Sequence, residues 1–190
     1  MTSKTLACYN FDMNADLRLV ISCFAGLGKT TVAKKYPNVC DLQTSAFRRN
    51  PSIKTYDYEK QKGFDSNITN PNFPQNYLDA LENARTKYEI VLVTMAHDIR
   101  ELLEQNNIPF IFVLPERTNS FKEKLIARCQ ERGNSESFVK YISENFDSLS
   151  RNQKDYKNKI LILKENQYLE DLLLEEKILL AIGVGSGGRI

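Results

Sequence analysis

The stretch ISCFAGLGKTTVAKKYPNVCDLQTS, residues 21–45, decides how this chain is read. At its centre, Gly26-Leu27-Gly28-Lys29-Thr30-Thr31 has the form of a phosphate-binding loop without its first glycine. The strict pattern is G-x-x-x-x-G-K-[ST], and Cys23 stands where that first glycine belongs. Upstream, the apolar, β-rich run RLVISCF (18–24) predicts a strand buried on both faces. Downstream, 30–36 reads as a short helix stopped by Pro37, and 38–42 as a second strand. A bare G-x-G-K-[ST] run arises by accident in about one chain in a hundred of this length. The strand before it and the helix after it make accident a poorer explanation still.

The chemistry behind the pattern is simple. A phosphate needs several converging donors and close backbone approach, which a glycine turn between strand and helix supplies. Ala25, Gly26, Leu27 and Gly28 would form that cradle, with Cys23 at its start. Lys29 would reach the β- and γ-phosphates of ATP, the Thr30 hydroxyl would help to hold Mg²⁺, and Thr31 would meet the α-phosphate.

Beyond the loop, 43–73 is polar and without period, and is expected to be functional or partly helical. Regularity returns with a helix at 75–87, a strand at 89–95 and a helix at 98–106, opened by a capping box of Asp98 and Glu101. A strand at 109–114 follows. Ser120 and Glu123 then repeat the cap signature before a helix that runs to Arg132 and ends at Gly133. Residues 137–146 read as helix, 159–163 as a last strand, and 168–182 as one closing helix. Strands alternating with helices predict an α/β fold with a parallel sheet covered on both faces.

The 190 residues suit one domain, here taken as 1–182 with a Gly-rich tail at 183–190. That tail matches G-x-G-x-x-G literally, but no helix follows it to meet a pyrophosphate. A net charge of +2 argues against an extended nucleic-acid track, and no apolar run is long enough to span a bilayer. The N-terminal stretch shows no signal-peptide pattern. Cys8, Cys23, Cys40 and Cys129 form no C-x-x-C pair, so a reducing, cytoplasmic setting is expected.

The run Cys23–Thr31 resembles the loop of the nucleoside monophosphate kinase and shikimate kinase group, where G-x-x-G-x-G-K-[ST] is usual. Gly26, Gly28, Lys29 and Thr30 match; Cys23 departs. Together, GLGKTT, DLQTS, IVLVTMAHDIR and IPFIFVLP also resemble small nucleotide-kinase-like proteins of bacteriophages. The resemblance implies a P-loop fold of five parallel strands, a substrate-binding insertion at 43–73 and a helical lid at 117–150. It also implies ATP with Mg²⁺ as cofactors and a small acceptor, a nucleoside or nucleotide, as partner.

Four further groups are candidates in that frame. Asp41, ending the second strand, would meet the acceptor, with Thr44 and Ser45 as neighbours. Arg48 and Arg49 would bind an acceptor phosphate. Lys124, Arg128 and Arg132 recur every four residues beside the apolar stripe Phe121, Leu125 and Cys129. Of these, Arg128 and Arg132 would neutralise the transferring group, while Lys124 reads as a solvated surface charge. His97, Asp98 and Arg100 follow the third strand, which lacks the acidic residue the resembled kinases place there. Asp98 could substitute for it, although capping already explains that residue. Two readings follow: an ATP-dependent phosphotransferase, or a non-catalytic nucleotide-binding regulator. A polynucleotide 5′-kinase is a third.

Overall fold

The computed structural model describes residues 18–49, 69–149 and 159–182. Within them five parallel strands form one sheet: β1 (Leu19–Cys23), β2 (Val39–Asp41), β3 (Ile90–Thr94), β4 (Phe110–Pro115) and β5 (Ile160–Leu163). Their order is β2-β3-β1-β4-β5. This is the α/β, five-stranded parallel arrangement expected for a P-loop fold. The ladder sets Cys23 opposite both Thr94 and Val113, and Asp41 opposite Leu92. With β1 central and its neighbours reached by opposite crossovers, the carboxyl edge above β1 is where such a sheet opens a crevice.

The apolar runs explain the layers. In β1, β3 and β4 nearly every residue is buried, as strands covered on both faces must be. Edge strand β5 alternates buried and half-buried positions. Among the described residues eight helices supply the cover: α1 (Lys29–Lys35), α2 (Thr44–Arg49), α3 (Gln75–Lys87), α4 (His97–Gln105), α5 (Asn119–Glu131), α6 (Glu136–Leu149), α7 (Leu169–Glu175) and α8 (Ile178–Ala181). Each long helix turns a stripe inward at three- and four-residue steps: Ile99, Leu102 and Leu103 in α4, and Phe121, Leu125 and Cys129 in α5. Lys35 and Tyr36, at the end of α1, both donate to the Glu170 carboxylate on α7 and tie the two helices together. No helix among the described residues is long and apolar enough to cross a membrane.

Three sequence expectations are corrected. The closing helix is two, α7 and α8, with Lys177 left-handed at φ 59° between them. The stripe of Leu169, Leu172 and Leu173 would continue at Glu176 and Lys177, which are charged, so the chain turns and buries Leu179 instead. Asp98 is not the cap of α4; Ala96 holds that position, and the Asp98 carboxylate pairs with Arg48. Nor does Ser120 cap α5. Thr118 does, its hydroxyl accepting from the Phe121 N–H at 3.1 Å, while Ser120 donates to Glu165. The C-terminal end of α5 follows expectation: Gly133 is left-handed at φ 71°, with Gly133 N–H donating to Gln130 and Asn134 N–H to Cys129. Of the insertion at 43–73, α2 and 69–73 are described; 50–68 lies outside the described residues, as do 150 in the lid range and the whole tail at 183–190.

The cap reassignment is measurable. Thr118→Ala should lower unfolding stability by about 1 kcal/mol in urea titration, the usual cost of a lost N-cap. Ser120→Ala, which removes only an exposed bond, should cost less. The opposite order would restore Ser120 as the cap.

Candidate functional site

The loop that leaves β1 is shaped by two glycines with different reasons for being glycine. Gly26 (φ 79°) lies against α5: a Cβ there would stand 2.6 Å from Leu125 Cδ1 and 3.5 Å from Cys129 Sγ. Gly28 (φ 103°) faces open space and caps α1 without a side chain. Both need the left-handed region that glycine enters freely. Leu27 between them is buried, and its carbonyl accepts from Leu169 N–H at 3.3 Å, anchoring the loop to α7.

The Lys29 ammonium lies 3.4 and 3.3 Å from the carbonyl oxygens of Cys23 and Phe24. Among the described residues no carboxylate forms an ion pair with it. Its charge is thus held over the loop by backbone dipoles. Thr30 donates from Oγ1 to Asp41 Oδ2 at 2.6 Å. Asp41 is only 2% exposed, yet its other oxygen, Oδ1, has no hydrogen-bond partner among the described residues. A buried carboxylate oxygen without a donor is costly.

These groups line a cleft of about 310 Å³ at the carboxyl edge of the sheet. The structure brings together Ala25, Gly26, Gly28, Lys29, Thr30, Asp41 and Arg132 on its wall. Thr44 and Ser45 join them. Arg132 reaches it as the C-cap of α5, the helix that packs on Gly26 through Leu125 and Cys129. Leu27 and Thr31 are not on that wall: one is core, the other exposed on α1.

Cys23 differs from its expected part. It is the last residue of β1, wholly buried in the sheet, and contributes to the site only the carbonyl that meets Lys29. Burial pushes its thiol up to about 12, the nearby Lys29 ammonium offsetting part of the effect. Cys40 and Cys129 are likewise buried, and none of these three forms a disulfide.

The basic stripe of α5 divides. Lys124 pairs with Glu165 in the β5–α7 connection. Arg128 lies over the ring of Tyr168, 4.6 Å from its centroid, and is absent from the cleft wall. Only Arg132 lines the cleft. Arg48 is held by Asp98 at 2.6 Å and stacks on Phe73 at 4.9 Å; with Arg49 it lines a separate hollow. His97 pairs with Glu101 on the exposed side of α4. Five wall residues were not among the sequence candidates: Leu42, Gln43, Thr94, Asn134 and Phe138. Thr94 could have been found, since it ends β3 where an acid was sought.

No protein-family model matches this chain, and no curated protein matches it. Solved structures do resemble it in layout. An unliganded sugar kinase from Janibacter sp. HTCC2649 has 17% identity, covering 91% of this chain and 99% of its own, with a TM-score of 0.49. The tunicamycin resistance protein of Deinococcus radiodurans has 14% identity, covering 87% and 95%, with a TM-score of 0.48.

Two substitutions probe the loop's packing. Gly26→Ala should cost about 2 kcal/mol of stability, because positive φ and the Leu125 clash both oppose a Cβ. Cys23→Gly, which would restore the usual pattern, should instead destabilise by about 1–2 kcal/mol, since it removes a buried side chain and loosens a central strand. Urea titration checks both. A more stable glycine variant would show that Cys23 strains the loop.

Proposed function

We propose that this protein is a phosphotransferase that moves the γ-phosphoryl group of MgATP to a small acceptor, a nucleoside or nucleoside monophosphate. The carrying observation is the bond from Thr30 to Asp41 on one cleft wall, beside Lys29, which forms no ion pair among the described residues. The resemblance of GLGKTT, DLQTS, IVLVTMAHDIR and IPFIFVLP to phage nucleotide-kinase-like proteins supports the same reading.

The residues fit a magnesium–nucleotide group. Among the described residues no three His, Cys, Asp or Glu side chains could cage a metal alone. Magnesium seldom asks for such a cage; it takes one or two protein oxygens and completes its shell with phosphate and water. Thr30 Oγ1 is an oxygen of that kind, and Asp41 Oδ2 holds its hydroxyl at 2.6 Å. Bound there, the ion would neutralise phosphate charge. The loop amides and Lys29 would bind and orient the triphosphate. Arg132, with no ion pair among the described residues, would offset charge on the transferring group. Asp41 would orient the attacking oxygen and accept its proton. Arg128, seated on Tyr168, would support the donor side of the site rather than touch the reacting phosphorus.

The non-catalytic alternative drew on the acid missing after β3. Asp41 removes much of its force, because a carboxylate already reaches the Thr30 hydroxyl from the end of β2.

Lys29→Ala should abolish transfer and leave the fold intact, as judged by ADP release and circular dichroism. Asp41→Asn should lower turnover by about 10²- to 10⁴-fold, far more than it weakens ATP affinity by calorimetry. Full turnover in either variant would remove that residue from the site.

A further inference from the structure

The cleft wall carries three charged side chains among the described residues: Lys29, Asp41 and Arg132. A triphosphate donor engages both cations. A second phosphate, on an acceptor, would then find no further cation on that wall among the described residues and would face Asp41, a like charge. Of the alternatives, Arg48 is paired with Asp98, and both Arg48 and Arg49 line a different hollow.

The polar groups that remain want something else. Asp41 Oδ1 and Thr44 Oγ1 are both without a hydrogen-bond partner among the described residues, and both belong to this cleft. Asp41 is nearly sealed, so only a group entering the cleft can reach it. A carboxylate oxygen can only accept, so its partner must donate. A phosphate dianion has no proton to give; an alcohol does, and its oxygen can accept from Thr44 in return. Around them stand the uncharged Gln43, Ser45 and Asn134, with the half-buried ring of Phe138. Amides, hydroxyls and one aromatic face suit a neutral, hydroxyl-rich molecule.

We infer that the acceptor is an uncharged alcohol, of the nucleoside or sugar class, and not a phosphate monoester. This rests on the phosphotransferase reading above. In the step, the acceptor hydroxyl oxygen forms a bond to the γ-phosphorus. The bond from that phosphorus to the β,γ-bridging oxygen breaks, and its electron pair leaves with ADP. The hydroxyl proton passes to Asp41 Oδ1 and then to solvent. The products are a phosphate monoester and ADP.

The test gives the protein labelled MgATP and matched pairs of probes: the common ribo- and deoxyribonucleosides and aldohexoses, each beside its own monophosphate. Calorimetry with a non-hydrolysable ATP analogue and the same pairs supplies a binding readout. A neutral probe should accept label and bind, with its monophosphate slower by about a hundredfold or more. Asn134→Ala, at an exposed position, and Phe138→Ala should raise KM for that probe about tenfold without moving KM for ATP. Arg48→Ala should leave the preference unchanged. Equal or faster labelling of a monophosphate would overturn the inference. So would failure of every neutral probe to bind or accept label while the analogue binds wild type and not Lys29→Ala; nucleotide binding would then stand alone. No analogue binding to wild type would defeat the donor reading itself.

Discussion

A single hydrogen bond, Thr30 Oγ1 to Asp41 Oδ2, joins the first turn of α1 to the end of β2 and organises the carboxyl edge of the sheet. It pins one oxygen of a buried carboxylate and leaves the other without a donor. The parallel topology makes the bond possible. With β1 central, the loop, the start of α1 and the tip of β2 all arrive at one edge. β3 ends in Thr94 without an acid, and the carboxylate at this edge of the sheet comes instead from Asp41 at the end of β2.

The second constraint is steric. Leu125 and Cys129 of α5 close over Gly26, so the helix expected to act as a lid is in part a fixed wall of the loop. Its buried stripe belongs to the core. Lys124 is tied to Glu165, and Arg128 rests on Tyr168, both in the chain leading into α7. The middle and last turn of α5 are therefore fastened to the connection after β5, and around the Gly133 turn Arg132, Asn134 and Phe138 line the cleft.

Much of this was legible in the sequence, for identifiable reasons. Strands buried on both faces leave continuous apolar runs, so β1, β3 and β4 stand out, and the glycine loop is a local pattern that needs no partner to be recognised. The stripe in α5 was equally plain. What the sequence concealed depends on contacts between distant segments. Lys124, Arg128 and Arg132 look equivalent at four-residue spacing, yet Glu165 and Tyr168 separate their roles. Asp98 satisfies a capping pattern but is drawn to Arg48, fifty residues away in the chain. Asn134 and Phe138 reach the cleft only because Gly133 turns the chain. Cys23, read as part of the loop, is in space the end of a strand.

The coupling between Thr30 and Asp41 tests the central claim most directly. Mg²⁺-dependent ATP affinity would be measured by calorimetry for wild type, Thr30→Val, Asp41→Asn and the double variant. If the hydroxyl and carboxylate act as one unit around the bound magnesium nucleotide, the two losses are non-additive by about 1 kcal/mol or more, and the coupling vanishes when Mg²⁺ is omitted. Additive losses, or the same coupling without Mg²⁺, would contradict the account and leave the Thr30–Asp41 bond as a structural link between α1 and β2.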